Sequence, residues 1–395
     1  MKPKFVGGNR LTLLNSGVEY FPALLQAIET AQQEIWLETY IFAKDAVGEA
    51  VAAALAAASR RGVQVRLLVD GFGAANFRAD YAEPLVRAGV LAMEYRPEFG
   101  ARFKRHRLRR LHRKLVVIDG KTAFVGGINI VDDNNAPPEL RPRYDYAVKA
   151  EGPVIAQIHA AVRRMWEIVS WANLKHRYRL HHIVQPRCPP RGQQRAAFLL
   201  RDNIRHRNDI ANAYLTAIHA AQSEVLIANA YFMPGFRFRH ALRAAAQRGV
   251  KITILLQGPS DHPLLMYATR ALYGALLDEG MRIFEYQRSF LHAKVAVIDN
   301  HWATIGSSNI DPFSLLLAKE GNLFIDDQSF TECLKNSLQD AMQEGARELR
   351  HEDWRKLGLG SRLLRWICYG AVRLLVGMSG FGAKHWQTDA EQKSA

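Results

Sequence analysis

Cysteine is scarce in this chain of 395 residues: Cys188, Cys333 and Cys368 stand far apart and form no Cys-x-x-Cys pair. That excludes a disulfide framework and the common zinc-ligand spacings, and it points to a reduced, cytosol-facing setting. Also missing is any uncharged run of about 18 apolar residues, the length of a spanning helix. The opening stretch, Met1 to Ser16, carries charges and glycines but no apolar core of signal-peptide length, so neither secretion nor a membrane span is expected. Acidic residues are in deficit, 38 against 53 Lys and Arg, for a formal net charge of +15 and a pI near 9.8. Such a surface attracts polyanions, whether nucleic acid, an anionic bilayer or phosphorylated substrates, and charge alone does not choose among them.

What is present is a globular composition, 48% hydrophobic, over a length that suits two well-packed domains. The chain also repeats itself. A periodic helix at Tyr20–Ala31 precedes the strand-like Gln33–Tyr40; later a helix at Ala213–Ala221 precedes the strand-like Ser223–Tyr231. Arg61-Gly62-Val63 and Arg248-Gly249-Val250 each end an Ala-rich helix and lead into β-branched strands, Val63–Asp70 and Val250–Gln257. Matched order over many elements indicates duplication. The expected fold is α/β: two similar α/β/α sandwiches, each a mixed sheet flanked by helices, related by a pseudo-twofold axis with the active site between them. The halves are placed at 1–175 and 197–350, with a proline-bearing linker at 176–196 and a basic amphipathic tail at 351–395.

The strongest signal is His112, Lys114, Asp119, Gly126, Gly127 and Asn129, returning as His292, Lys294, Asp299, Gly306, Ser307 and Asn309 with every spacing kept at an offset of 180. His-x-Lys on a strand puts both side chains on one face. An ammonium neutralises non-bridging phosphate oxygens, while an imidazole attacks phosphorus or protonates an alkoxide near neutral pH. Asn129 and Asn309 are candidates to return amide donors to the same phosphate. One histidine cannot easily act as nucleophile and leaving-group acid on opposite sides of an in-line displacement, whereas two copies can. Two lysines then offset the phosphodiester charge, and neither a metal nor a cofactor is called for.

These residues resemble the duplicated His-x-Lys-x4-Asp motif of the phospholipase D superfamily, a likeness running from about Gly17 to Glu348. The resemblance implies a covalent phosphohistidine on one motif histidine, with the other protonating the departing alcohol and later deprotonating the acceptor. By the family's usual assignment His112 is the nucleophile and His292 the acid/base. It further implies an acidic residue orienting each imidazole, for which Asp145 and Glu320 stand at matching places. Asp119 and Asp299, at strand ends beside turns, count with the catalytic set as supports rather than substrate contacts.

Within the superfamily, Ile35–Phe42, Asp70-Gly71-Phe72-Gly73, Ala230–Gly235 and Gly306–Pro312 resemble the bacterial cardiolipin synthases, most of all the shorter branch called cardiolipin synthase B. That implies transfer of a phosphatidyl group from one phosphatidylglycerol to another with release of glycerol. A phospholipid hydrolase and a nucleic-acid phosphodiesterase of the same superfamily are the alternatives. The expected partners are anionic phospholipids at a membrane surface rather than nucleic acid, with the protein peripheral on the cytoplasmic side of the inner membrane. The hydrophobic N-terminal anchor of the longer synthases is not seen, so attachment is sought in Arg102, Phe103, Lys104 and Arg105 before the first motif, and in Arg362, Arg365, Trp366 and Arg373 on a tail helix. His181 and His182 are read as solvent-exposed linker residues.

Overall fold

The β-branched runs after each Ala-rich helix form the parallel centres of two sheets, and the motif hairpins add antiparallel strands beside them. A computed structural model describes residues 3–96, 109–173, 185–186, 188–202, 205–259, 263–311, 318–352 and 359–378. In the first half the strands are β1 (Val6–Asn15), β2 (Glu34–Thr39), β3 (Gln64–Asp70), β4 (Leu91–Tyr95), β5 (Arg110–Leu111), β6 (Leu115–Ile118), β7 (Thr122–Gly126), β8 (Arg143–Tyr144) and β9 (Tyr146–Glu151). The second half carries β10 (Gln194–Arg201), β11 (Glu224–Asn229), β12 (Lys251–Gln257), β13 (Arg282–Tyr286), β14 (Phe290–Leu291), β15 (Lys294–Ile298), β16 (Trp302–Gly306), β17 (Ala318–Asp326) and β18 (Ala346–Glu348).

One half runs β1-β9-β7-β6-β2-β3-β4 and the other β10-β17-β16-β15-β11-β12-β13, the same order twice, with β18 added at the second half's outer edge. The first strands of the two halves, β1 and β10, pair antiparallel, with Val6 opposite Ala196. That is the pairing a local twofold axis imposes, and it fuses the two expected sheets into one continuous sheet. Because β10 starts at Gln194, the end of the expected linker belongs to the second half.

Helices cover both faces. α1 (Ser16–Glu29) and α2 (Ala46–Arg60) pack on the outside of the first half. The start of α2 is capped by Asp45, whose carboxylate accepts from Gly48 N at 2.9 Å. Gly62 and Gly249 follow the Ala-rich helices at φ +93° and +88°, the left-handed turn that ends a helix most easily with glycine. α3 (Glu83–Arg87) precedes β4, and α4 (Ile155–Ala172) covers the inner face. In the second half α5 (Asp209–Ala220) and α6 (Phe236–Gln247) lie outside, followed by α7 (Pro263–Arg270), α8 (Tyr273–Asp278) and α9 (Gln328–Gly345). The inner face makes one core across both halves: Trp36, Val117 and Trp166 share it with Val295, Leu323 and Leu338. Burying so many apolar side chains at about 1.5–3 kcal/mol each fixes the two halves against one another.

The tail forms α10 (Leu359–Met378), docked on α7 through Tyr369 and Val372, which join the second half's outer core. Its apolar side faces outward, with Leu363, Trp366, Ile367 and Leu374 each more than half exposed. The stripe that carries the basic residues is the one that meets the domain. Arg365 sits half-buried in the field of Arg270 and Glu285, and Arg373 donates to the Tyr369 hydroxyl at 3.4 Å, so both turn toward the protein because Tyr369 and Val372 dock that stripe. Trp366 keeps its exposed place. The Arg362 side chain, the basic segment Arg102, Phe103, Lys104 and Arg105, and His181 and His182 lie outside the described residues. Among the described residues no helix is long and apolar enough to cross a membrane.

Candidate active site

Each motif strand changes partners at its histidine. β5, just before His112, pairs in parallel with β17 of the other half, and His112 N donates to Lys319 O at 3.0 Å; beyond Lys114 the chain rejoins its own half as β6 beside β2. The second copy does the same in reverse. β14 pairs in parallel with β8, His292 N donates to Tyr144 O at 2.8 Å, and β15 returns to β11.

This exchange delivers each carboxylate to the other half's histidine. Nδ1 of His112 lies 3.1 Å from both oxygens of Glu320, and Nδ1 of His292 lies 2.6 Å from Asp145 Oδ2. A carboxylate accepting from Nδ1–H leaves Nε2 of each ring as the lone-pair nitrogen. Asp145 and Glu320 therefore take the expected orienting positions, with the crossing between halves unforeseen by the spacing. The imidazole side chains keep 18% and 15% of their surface exposed, enough for a ligand to reach a ring edge.

The lysines are almost wholly buried beneath them. Lys114 Nζ donates to His112 O at 2.7 Å, Lys294 Nζ donates to His292 O, and Lys294 lies 4.0 Å from Asp145. Burial lowers Lys114 to about 7, with Glu320 raising it and Lys294 lowering it further. Burial also lowers His112, against the pull of Glu320, and takes His292 well below the ordinary histidine value, with Lys294, Lys114 and His112 adding to the effect. Charges from both halves thus act on one another within one centre.

The two carboxylates are not equivalent. Burial pushes Glu320 up, but His112, its hydrogen bond, Lys114 and the Ser307 hydroxyl outweigh this and hold it below its usual range. Asp145 is raised to about 6 by burial, with Lys294 opposing, and its Oδ1 takes the Tyr146 N–H at 2.8 Å. At the position of Ser307 the first half has Gly127, where even a Cβ would fall 2.4 Å from the Asp145 oxygens. No hydroxyl can enter there.

Asn129 and Asn309 follow β7 and β16 and are buried beside the histidines' strands. Asn129 Oδ1 accepts from Ile41 N at 3.0 Å, which directs its oxygen to the backbone and frees its NH2 to donate elsewhere. Asp119 and Asp299 occupy a different place, as supports at the strand ends rather than beside the imidazoles. Asp119 accepts from the backbone N–H of Gln32, Gln33 and Glu34, and Asp299 from those of Gln222, Ser223 and Glu224. They tie the turn entering β2 and β11 to the far end of β6 and β15, about 16 Å along the strand from the motif lysine. Their φ values of +53° and +50° put them in the left-handed turn after each strand.

Three contributors escaped the sequence reading. The Tyr40 ring packs edge-on to His112 at 4.9 Å with Lys114 Nζ 5.4 Å from its centre, and Phe290 stacks on His292 at 5.9 Å. Arg113, between the motif His and Lys, turns to the opposite side and pairs with buried Glu38 at 2.6 Å. Period-two alternation signals Arg113's direction, but nothing local signals its partner.

The chain matches the protein family described as cardiolipin synthase, PLD-like domain, over residues 24–166 and 214–342. It is 42% identical to cardiolipin synthase B of Shigella flexneri and 41% to that of Escherichia coli K12, in each case over 86% of this chain and 81% of the relative. Cardiolipin synthase A of Pseudomonas putida GB-1 is 32% identical over 92% of this chain and 75% of its own length. Among solved structures, phosphatidylserine synthase of Haemophilus influenzae Rd KW20 shares the fold at a TM-score of 0.70 and 14% identity, covering 94% of this chain and 96% of that one.

Proposed function

The chain belongs to the cardiolipin synthase branch of the phospholipase D-like family, and from that premise we propose that it joins two phosphatidylglycerol molecules into cardiolipin with release of glycerol. The observation that carries this reading is the crossed pairing of His112 with Glu320 and of His292 with Asp145, which makes one centre from two repeats.

In the first step His112 Nε2 attacks the phosphorus of the donor lipid and the P–O bond to glycerol breaks. His292, protonated, gives its proton to the leaving oxygen. In the second step the hydroxyl of another phosphatidylglycerol gives its proton to His292 and its oxygen attacks phosphorus, breaking the P–N bond and restoring His112. Lys114, Lys294 and the amides of Asn129 and Asn309 hold the non-bridging oxygens, whose charge favours the positioned ammonium groups most as it concentrates in the transition state. The division of roles follows the two carboxylates. Ionised Glu320, held by Ser307, offsets the positive charge that builds on a phosphorylated His112 ring. His292, depressed by burial and then by the two lysines, gains its proton as the anionic lipid arrives.

The reaction requires a lipid surface. The exposed apolar side of α10, with Trp366 at its middle, suits the interface of an anionic bilayer, and the basic surface favours the cytoplasmic leaflet of the inner membrane. Purified protein incubated with phosphatidylglycerol vesicles is expected to yield cardiolipin and glycerol, read by mass spectrometry. Phosphatidic acid as the main product would make it a hydrolase, and cleavage of DNA without any lipid product would refute the proposal.

A further inference from the structure

Away from the histidines, a cavity of about 530 Å³ opens between α4, the end of β4 and the segment leaving β10. Among the described residues Arg96, Arg109, Arg164, Arg205 and Lys319 line it, five cations against one carboxylate, that of Asp202. That carboxylate already accepts from the backbone N–H of Arg205 and His206 at 2.8 and 2.9 Å. Gathering like charges in a partly enclosed space is unfavourable unless an anion enters it. Lys319 is lowered to about 8, first by burial and then by Arg113, with Asp202 opposing and the cavity's Arg96 and Arg109 lowering it further. One side of the cavity is apolar, formed by Tyr95, Ile168, Val169 and Ala172, with Ile168 47% exposed at its edge.

The cavity is separate from the catalytic centre but shares its strands. On β17, Lys319 and Glu320 are neighbours, so their side chains leave on opposite faces, Glu320 toward His112 and Lys319 toward the cavity. Arg109 immediately precedes β5, whose pairing with β17 carries His112. We propose that this cavity is a second anion site that binds the phosphate of a phosphomonoester or phosphodiester and thereby braces the β5–β17 pair behind His112. The phosphate can come from a lipid head group, for which the apolar wall provides a place beside the glycerol backbone, or from free phosphate. The inference does not depend on which phosphodiester the histidines process.

Calorimetric titration of the full chain with inorganic phosphate and with monomeric dihexanoyl phosphatidylglycerol tests it. A variant carrying Arg164→Gln and Arg205→Gln leaves the catalytic lysines in place, so anion binding at the histidines serves as the internal control. The native chain is expected to show a binding event that the double variant weakens at least about tenfold. Loss of a phosphate event of equal strength assigns the site to free phosphate, and loss confined to the lipid, or much larger for it, assigns it to a head group. A folded double variant that binds both probes as the native chain does overturns the proposal.

Discussion

Replacing Glu320 by Gln removes one buried charge from the other repeat while keeping the shape around His112. In the native protein both Glu320 oxygens lie 3.1 Å from Nδ1, and the carboxylate is fully buried, so water does little to screen the pair. When Nε2 attacks phosphorus, the ring becomes cationic. A unit charge about 4 Å away in an effective dielectric of about 20 contributes about 4 kcal/mol, or roughly a thousandfold in rate. Glu320→Gln is therefore expected to slow phosphohistidine formation about a thousandfold, with KM changed no more than about threefold because the lysines still hold phosphate. Rapid quenching into alkali, which preserves phosphoramidates, measures that single-turnover rate. A folded variant that forms the intermediate within about fivefold of the native rate refutes the reasoning, because the crossed carboxylate would then be no more than packing.

Asp119→Ala strips the acceptor from three backbone N–H groups at a left-handed turn and is expected to cost about 3 kcal/mol of stability by denaturant titration, with kcat per folded molecule unchanged. Asp299 is held below its ordinary pKa by backbone hydrogen bonds that outweigh burial, so its contribution is complete above the free carboxyl value and lost as pH falls through the lower folded value. The stability gap between native and Asp299→Asn should accordingly close in acid, and a gap constant with pH would contradict this. Lys294→Met removes a positive neighbour of His292, so His292 should hold its proton to higher pH. The alkaline limb of kcat/KM should move upward even as the rate falls, and an unmoved limb would deny His292 the acid role. Leu363→Glu with Ile367→Glu, both on the exposed side of α10, should lower partitioning to phosphatidylglycerol vesicles at least about tenfold in a flotation assay with turnover of a soluble phosphodiester intact.

Local signals carried far. The β-branched run before Asp70 is strand to its predicted end, and the motif hairpin folds as Leu115–Ile118 and Thr122–Gly126. Duplication was legible because spacing is a one-dimensional property, and it fixed both histidines and both lysines. The exchange was not, because parallel pairing of two-residue strands such as β5 with β17 joins positions about two hundred residues apart and leaves no local pattern. β1 and β10 also escaped: each pairs within its own half with a strand far off in sequence, β9 or β17, and their contact with one another crosses the duplication. Asp119 and Asp299 were legible as supports at strand ends, but the backbone N–H groups they hold were not, because those lie in a turn distant in sequence. On α10 the two stripes were legible, but not that the basic one also carries the contact with α7, because helical spacing separates two faces without stating what each one meets.

The central claim is that two imidazoles from two repeats serve one phosphorus atom, and it is tested most directly by locating the covalent intermediate. A donor with a good leaving group, needing no acid, is supplied to His292→Ala and to His112→Ala, and each protein is quenched, digested and examined by mass spectrometry. The account predicts a phosphatidyl adduct on the peptide holding residue 112 in the first variant and no adduct in the second. Independent adducts on whichever histidine remains, each turning over as in the native protein, would contradict it.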